Sequence, residues 1–256
     1  MKPGDWICSV CTGHQFASRK VCRDCGTEKN HKEENKKVIT KTSKPFYLVI
    51  DFEANCSSAD MRDHEIIEFP AVLIKGETGE VIDEFHTYVK MFSHDKLSEF
   101  IKDLTHITDE QVSNGQEWTE CLLNFEKWCS EKGLDHENCT IVTCGDWDLK
   151  TMLHNQLAIS NSKLSPFLNR MFGCWNNAKV AYVKYTGNKS RGMDQMLKDL
   201  GLELVGHHHS GIDDSCNIAK ICHKLKEYGC DVTVPNKIRF RKFWYSEHTL
   251  THDRKR

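Results

Sequence analysis

Asp51 and Glu53 are the side chains from which chemistry can first be read. They close the run Phe46-Tyr-Leu-Val-Ile-Asp-Phe-Glu53, in which five apolar or aromatic residues lead into the acids. Such a run predicts a short strand buried on both faces. Side chains two apart on a strand point the same way, about 6.6 Å apart at a rise of about 3.3 Å per residue. Two carboxylates within about 4 Å repel by about 4 kcal/mol at an effective dielectric near 20. A hard divalent cation, Mg²⁺ or Mn²⁺, relieves that repulsion and accepts oxygen ligands of this sort.

Further acids sit at strand ends and on an inward helix face. Cys139-Thr-Ile-Val-Thr-Cys144 reads as a second short apolar strand, followed by Gly145-Asp-Trp-Asp-Leu149 and a helix. Acids at such a junction lie at the carboxyl edge of a sheet, where sites of α/β proteins form. Asp146 and Asp148 are both candidates on spacing alone. The segment His207-His-His-Ser-Gly-Ile-Asp-Asp-Ser215 leads into another helix. There Asp214 shares a stripe with Ile218, Ile221, Cys222 and Leu225, whereas Asp213 shares the outward stripe with Asn217, Lys220 and Lys224. An inward carboxylate demands a partner. Four such acids could hold two divalent ions about 3.5–4 Å apart. His209, five residues before Asp214, is of the right type for a general base. His207 and His208 read as loop, with a metal-binding His tract as the alternative.

A different chemistry is written at the start of the chain. Gly4 to Gly26 carry Cys8, Cys11, Cys22 and Cys25 as two C-x₂-C pairs. Four thiolates at that spacing predict one tetrahedral structural Zn²⁺, whose binding would largely fold so short a segment.

The elements that must position these groups follow from length and patterning. The chain of 256 residues is long enough for one sizeable α/β domain and a small appendage. With 35 Lys+Arg against 37 Asp+Glu, bulk charge makes no case for nucleic acid, and local patches must carry it. No apolar run is long enough to span a membrane, and no apolar leader is evident. Of 13 cysteines, the nine outside the C-x₂-C pairs lie mostly in apolar periodic segments, which suggests reduced thiols in cytosol or nucleus. The organisation expected is a finger over 1–27, a basic flexible linker over 28–44, a catalytic domain over 45–230 and a basic, aromatic tail over 231–256. Within the domain, Glu68 to Lys75 and Val81 to Lys90 read as strands. Pro70 is expected at a bulge or strand start. Helical spacing is expected to open at Phe92-Ser-His-Asp95, and Trp118, Cys121, Leu122, Phe125, Trp128 and Cys129 mark one buried helix face. The basic and aromatic residues between Pro166 and Gly192 could follow a nucleic-acid strand.

Two resemblances extend this reading. Trp6, Phe16-Ala-Ser-Arg19 and Arg23 around the cysteines resemble the Ran-binding-protein type of zinc finger, whose members bind single-stranded RNA or ubiquitin. Thr12-Gly13 stands where the ubiquitin-binding members carry Thr-Phe, which favours RNA; Gln15 stands where RNA-binding members usually have Asn. The resemblance implies RNA contacts from Trp6, Phe16, Arg19 and Arg23, with docking on a ribonucleoprotein as the other use. In the larger region, Asp51-Phe-Glu-Ala-Asn-Cys56, His64-Glu-Ile-Ile-Glu-Phe-Pro-Ala-Val72, Leu104-Thr-His-Ile-Thr-Asp-Glu-Gln-Val112, Gly145-Asp-Trp-Asp-Leu149 and His209-Ser-Gly-Ile-Asp-Asp-Ser-Cys-Asn-Ile-Ala219 resemble the Eri-type DEDDh 3′–5′ exoribonucleases. This implies a ribonuclease-H-like fold, a mixed five-stranded sheet flanked by helices. It also implies Asp51, Glu53, Asp148 and Asp214 as ligands of two Mg²⁺ or Mn²⁺, His209 as base, and Trp147 as a stacking surface for the terminal base. RNA 3′ ends are the substrate implied, although the acids alone do not separate RNA from DNA.

Overall fold

The computed structural model describes residues 3–7, 14–21, 29, 44–56, 63–189, 192–230 and 232. The chain divides into two units. In the smaller, β1 (Trp6–Ile7) pairs antiparallel with β2 (His14–Gln15), Trp6 opposite Gln15. The Trp6 indole N–H donates to the Arg19 carbonyl at 3.0 Å, and the Ala17 N–H donates to Asp5 Oδ1 at 3.0 Å. Trp6 thus braces its own hairpin, while Phe16 is 59% exposed. The four cysteines, Arg23, positions 30–43 of the linker and the tail from 233 onward lie outside the described residues, together with the expectations attached to them.

In the larger unit the apolar run leading to the acids is an interrupted strand. Phe46–Ile50 (β3) and Glu53–Asn55 (β4) lie in turn along one side of Glu65–Lys75 (β5), with Ile50 opposite Ala71 and Glu53 opposite Glu68. Val81–Tyr88 (β6) pairs with the other side of β5. Cys139–Thr143 (β7) runs parallel to β3, and Trp175–Asn177 (β8) parallel to β7. The sheet therefore has six strands where five were expected, because the first strand breaks at Asp51–Phe52. Pro70 is neither at a strand start nor at one of the two register shifts. It lies inside β5, opposite His86 of β6, where the β3 register would set it against Asp51. A residue without an N–H falls where the pairing on that side is already interrupted.

Helices cover both faces, as alternation along β3 requires. On one face Tyr47, Val49, Val72, Ile74 and Val142 pack against residues of Ala178–Thr186 (numbered α6 in chain order), Met193–Asp199 (α7) and Gly211–Glu227 (α8). On the other, the rings of Phe52, Phe69, Phe85, Trp118 and Phe125 interlock, with Phe52 and Phe69 4.9 Å apart and Phe69 and Phe125 4.8 Å apart. Trp118 and Phe125 belong to Trp118–Glu131 (α3), whose buried stripe follows the expected helical spacing except at Trp128, which is half-buried and donates its indole N–H to Asp83 Oδ2 at 3.3 Å. Glu99–Thr105 (α1) and Asp109–Ser113 (α2) bury Ile101 and Val112 beside Ile67. After β7, one π-helical turn (Asp148–Met152) precedes Leu153–Ile159 (α4), and Pro166–Phe172 is α5.

Two expectations fail for the same reason, a buried polar side chain claiming backbone groups. No helix opens at Phe92, because the fully buried Glu65 carboxylate accepts the Phe92 and Ser93 N–H groups and meets His94 Nδ1 at 2.6 Å. Helix α1 starts only at Glu99, capped by the Ser98 hydroxyl. Nor does the outward stripe of α8 face water throughout. Asn217 is fully buried and holds Val205 by both its N–H and its carbonyl, and Asp213 Oδ2 accepts the His207 N–H at 2.8 Å. Together they tie the loop before α8 to its first turns.

Candidate active site

Strand alternation turns Asp51 and Glu53 to the α8 face, while Phe52 between them enters the aromatic layer. Helix α8 meets that edge closely, for Gly211 stands where a Cβ would lie 2.7 Å from the Asp51 carbonyl oxygen and 3.0 Å from Pro70 Cγ. Gly211→Ala is therefore expected to cost about 1–3 kcal/mol by overpacking, read as a lower denaturant midpoint. The α8 N-terminus is held by Glu68, a buried acid inside β5. Its Oε2 accepts the Gly211 N–H at 2.9 Å, and its Oε1 accepts the Ile212 N–H at 3.3 Å and lies 2.8 Å from His86 Nε2. A carboxylate at a helix N-terminus satisfies otherwise orphaned N–H groups and complements the helix dipole. Sequence reasoning missed Glu68, although an acid inside the apolar run Ile66-Ile-Glu-Phe69 was the available signal.

One turn into α8, Asp214 comes to the acids. Oxygens of Asp51, Glu53 and Asp214 lie within 4.8 Å of one another. Asp148 reaches the same place from the opposite side of β3: its Oδ1 accepts the Phe52 N–H at 2.9 Å, at the break between β3 and β4. Asp146 points elsewhere and accepts from Asn177 Nδ2 at 2.8 Å. Of the two acids that spacing left open, Asp148 is therefore the one bonded to the backbone between Asp51 and Glu53. His209 is half-buried at the rim, and its backbone N–H donates to Asp214 Oδ2 at 3.0 Å. Its φ of 70° lies in the left-handed region, a strained conformation for a non-glycine residue and one concentrated at functional sites. Trp147, next to Asp148, is 37% exposed.

The electrostatics are those of crowded acids. Burial, then the charges of Asp148, Glu53 and Asp214, hold the Asp51 pKa well above the usual carboxylate range, with Lys179 opposing. Burial and Glu68 push Glu53 up to about 9. Burial raises Asp148 to about 6 against the Phe52 N–H bond, and raises Asp214 to about 6 against the His209 N–H bond. Burial first, then the neighbouring histidines, lowers the His209 pKa below its ordinary 6.5. Lys179, read in the sequence only as one of several basic residues, puts its ammonium 3.8 Å from where a Cβ on Gly145 would sit. A cluster that resists ionisation by itself, with Asp214 Oδ1 buried and without a hydrogen-bond partner, fits divalent cations bound through oxygen.

The RNase_T family model, described as Exonuclease, matches residues 48–222. The chain is 32% identical to a solved structure, the nuclease domain of 3′hExo, a DEDDh family member, bound to rAMP. That match has a TM-score of 0.70 and covers 76% of this chain and 98% of the other. The chain belongs to the DEDDh exonuclease family. It is also 36% identical over 187 residues to human ERI1 exoribonuclease 3, covering 72% of this chain and 54% of that protein. With mouse 3′-5′ exoribonuclease 1 it shares 33% identity over 221 residues, covering 82% of this chain and 63% of the relative. It thus spans less than two thirds of the length of these curated relatives. Membership in the family implies divalent ions, Mg²⁺ or Mn²⁺, at the acids.

Proposed function

We propose that the chain is a 3′–5′ exoribonuclease that hydrolyses phosphodiester bonds at RNA 3′ ends and releases nucleoside 5′-monophosphates. The observation that carries this reading is the convergence of Asp51, Glu53 and Asp214 oxygens within 4.8 Å, with Asp148 bonded to the backbone between the first two. Asp51, Glu53, Asp148 and Asp214 would hold two Mg²⁺ or Mn²⁺, which supply charge neutralisation and polarise the scissile phosphate. His209 takes the proton from the attacking water. Its lowered pKa keeps the imidazole neutral, and so able to accept, at physiological pH. Lys179 adds positive charge beside Asp51 and Asp148.

Trp147 offers its exposed ring to the terminal base. Base–aromatic stacking is worth about 1–3 kcal/mol, so Trp147→Ala is expected to raise KM by roughly 5- to 150-fold with a smaller change in kcat. We also assign residues 1–27 to a Cys8, Cys11, Cys22 and Cys25 zinc finger that, with the 28–44 linker, holds single-stranded RNA ahead of the 45–230 catalytic domain. Phe16, 59% exposed beside the β1–β2 hairpin, supports an RNA-stacking role, with Arg19 and Arg23 contributing charge. Nine free thiols among the described residues support a reducing compartment, cytosol or nucleus. The test is to incubate the full chain with RNA labelled at its 5′ end, with Mg²⁺ or with EDTA. Shortening from the 3′ end that needs the ion is expected; a ladder that forms equally in EDTA, or cleavage only at internal sites, overturns the reading.

A further inference from the structure

His208, for which the sequence left loop and a metal-binding tract as the two readings, is engaged. Its ring stacks on that of His209, with centroids 3.9 Å apart and planes at 20°. Its Nε2 lies 3.9 Å from Asp214 Oδ2. One ligand atom from each of His208, His209 and Asp214 falls within 4.8 Å of the other two. The carboxylate is buried, and its other oxygen, Oδ1, has no hydrogen-bond partner. The three residues open toward solvent on the His208 side, whose side chain is 40% exposed.

This donor set differs from that of Asp51, Glu53 and Asp214. Three carboxylates suit a hard ion such as Mg²⁺, whereas two imidazoles and one carboxylate suit a borderline ion and are a recurrent Zn²⁺ set with a fourth position left to water. Zinc at about 2.0–2.2 Å from each ligand needs ligand atoms roughly 3.3 Å apart in a tetrahedron, so modest ring rotations close the observed spacing. We propose that His208, His209 and Asp214 form a Zn²⁺ site, and that zinc bound there switches the enzyme off. The consequence rests on the nuclease reading; the site rests on the three side chains alone. Zinc on a ring nitrogen of His209 takes the lone pair that would accept the proton from water. Zinc on Asp214 removes an oxygen from the carboxylate cluster. His208 neither holds the Mg²⁺ ions nor takes the proton from water; without zinc it acts on His209 only by helping, behind burial, to lower its pKa.

The test uses the full chain and His208→Asn, with ZnCl₂ as the probe. Zinc uptake is measured by competition with a chromophoric chelator, and RNA cleavage is followed at fixed Mg²⁺ with increasing zinc. Without zinc, and at about pH 8, where an imidazole is neutral with or without His208 beside it, the two proteins are expected to cleave at the same rate. His208→Asn is expected to bind one zinc fewer per chain, and to need about tenfold more zinc or greater for half-inhibition, since even an outer-sphere loss at a metal site costs 10- to 100-fold in affinity. Equal uptake and equal half-inhibition in the two proteins overturn the proposal, and would mean that zinc acts in the carboxylate cluster or at the four cysteines. If neither protein cleaves RNA with Mg²⁺ alone, the nuclease reading fails, and the difference in uptake still decides the site.

Discussion

Asp51→Asn is expected to abolish RNA cleavage, lowering kcat by at least about 10³-fold, while raising the melting temperature of the metal-free chain above pH 7. The two effects share one cause. Asp51 faces Asp148, Glu53 and Asp214 in a buried cluster, so its charge is costly until a cation arrives. Removing the charge relieves the apo fold and leaves the cation one ligand short. Each kcal/mol gained should appear as roughly 2–4 °C in a chain of this size.

The sign of the pH dependence follows. Unfolded, these acids lose their protons near the ordinary 3.8–4.5; folded, Asp148 and Asp214 keep theirs to about 6 and Glu53 to about 9. Between about pH 4 and 9 the folded state binds more protons than the unfolded one, so stability in EDTA falls as pH rises. His209 works the other way below 6.5, since its folded pKa is lowered, but it is one group against four. Mg²⁺ binds the ionised cluster, so its stabilising effect should grow with pH. Melting curves in EDTA and in Mg²⁺ across that range check both statements. A wild-type slope no steeper than that of Asp51→Asn would remove the electrostatic basis of the site.

His209→Asn is the second large effect: kcat should fall by about 10²–10⁴-fold, the usual range for a positioned general base. The acid limb of the pH–rate profile, set below 6.5 by the lowered pKa, should vanish with the imidazole. Asp214 is held by the backbone N–H of residue 209, not by its ring, so the carboxylate cluster should keep its Mg²⁺ affinity. Titrating Mg²⁺ against melting temperature separates loss of the base from loss of the ion. A drop in kcat of less than about threefold would hand the proton-transfer role to another group.

Much of this site was legible because its parts sit on strands and helix faces with clear periods. Alternation put Asp51 and Glu53 together, and helical spacing turned Asp214 inward. What stayed hidden depends on contacts between distant segments. Glu68 and Gly211 are 143 positions apart in sequence, and their bond leaves no periodic trace. Asn217 has the composition of a solvent-facing position and is buried because Val205 loops back onto it. The loop at Phe92 was misread since a hydrophobic period cannot register that Glu65 holds its backbone. The strand count differed because a break at Asp51–Phe52 is set by what docks there: Asp148 on the Phe52 N–H, and Gly211 against the Asp51 carbonyl.

The π-helical turn at Asp148–Met152 solves a problem of angular phase. Two side chains of this segment must reach backbone N–H groups of the same sheet: Asp148 to Phe52, and Gln156 Oε1 to Ile66 at 2.7 Å. Eight regular α-helical steps would leave them about 80° out of line around the axis. Absorbing one residue in the wider turn reduces that to about 20°, so both anchors address the sheet along one generatrix of the cylinder. Forcing all eight steps into a regular α-helix at unchanged length would restore the offset of about 80° and swing the carboxylate away from the cation cluster, with the helix still docked through Gln156.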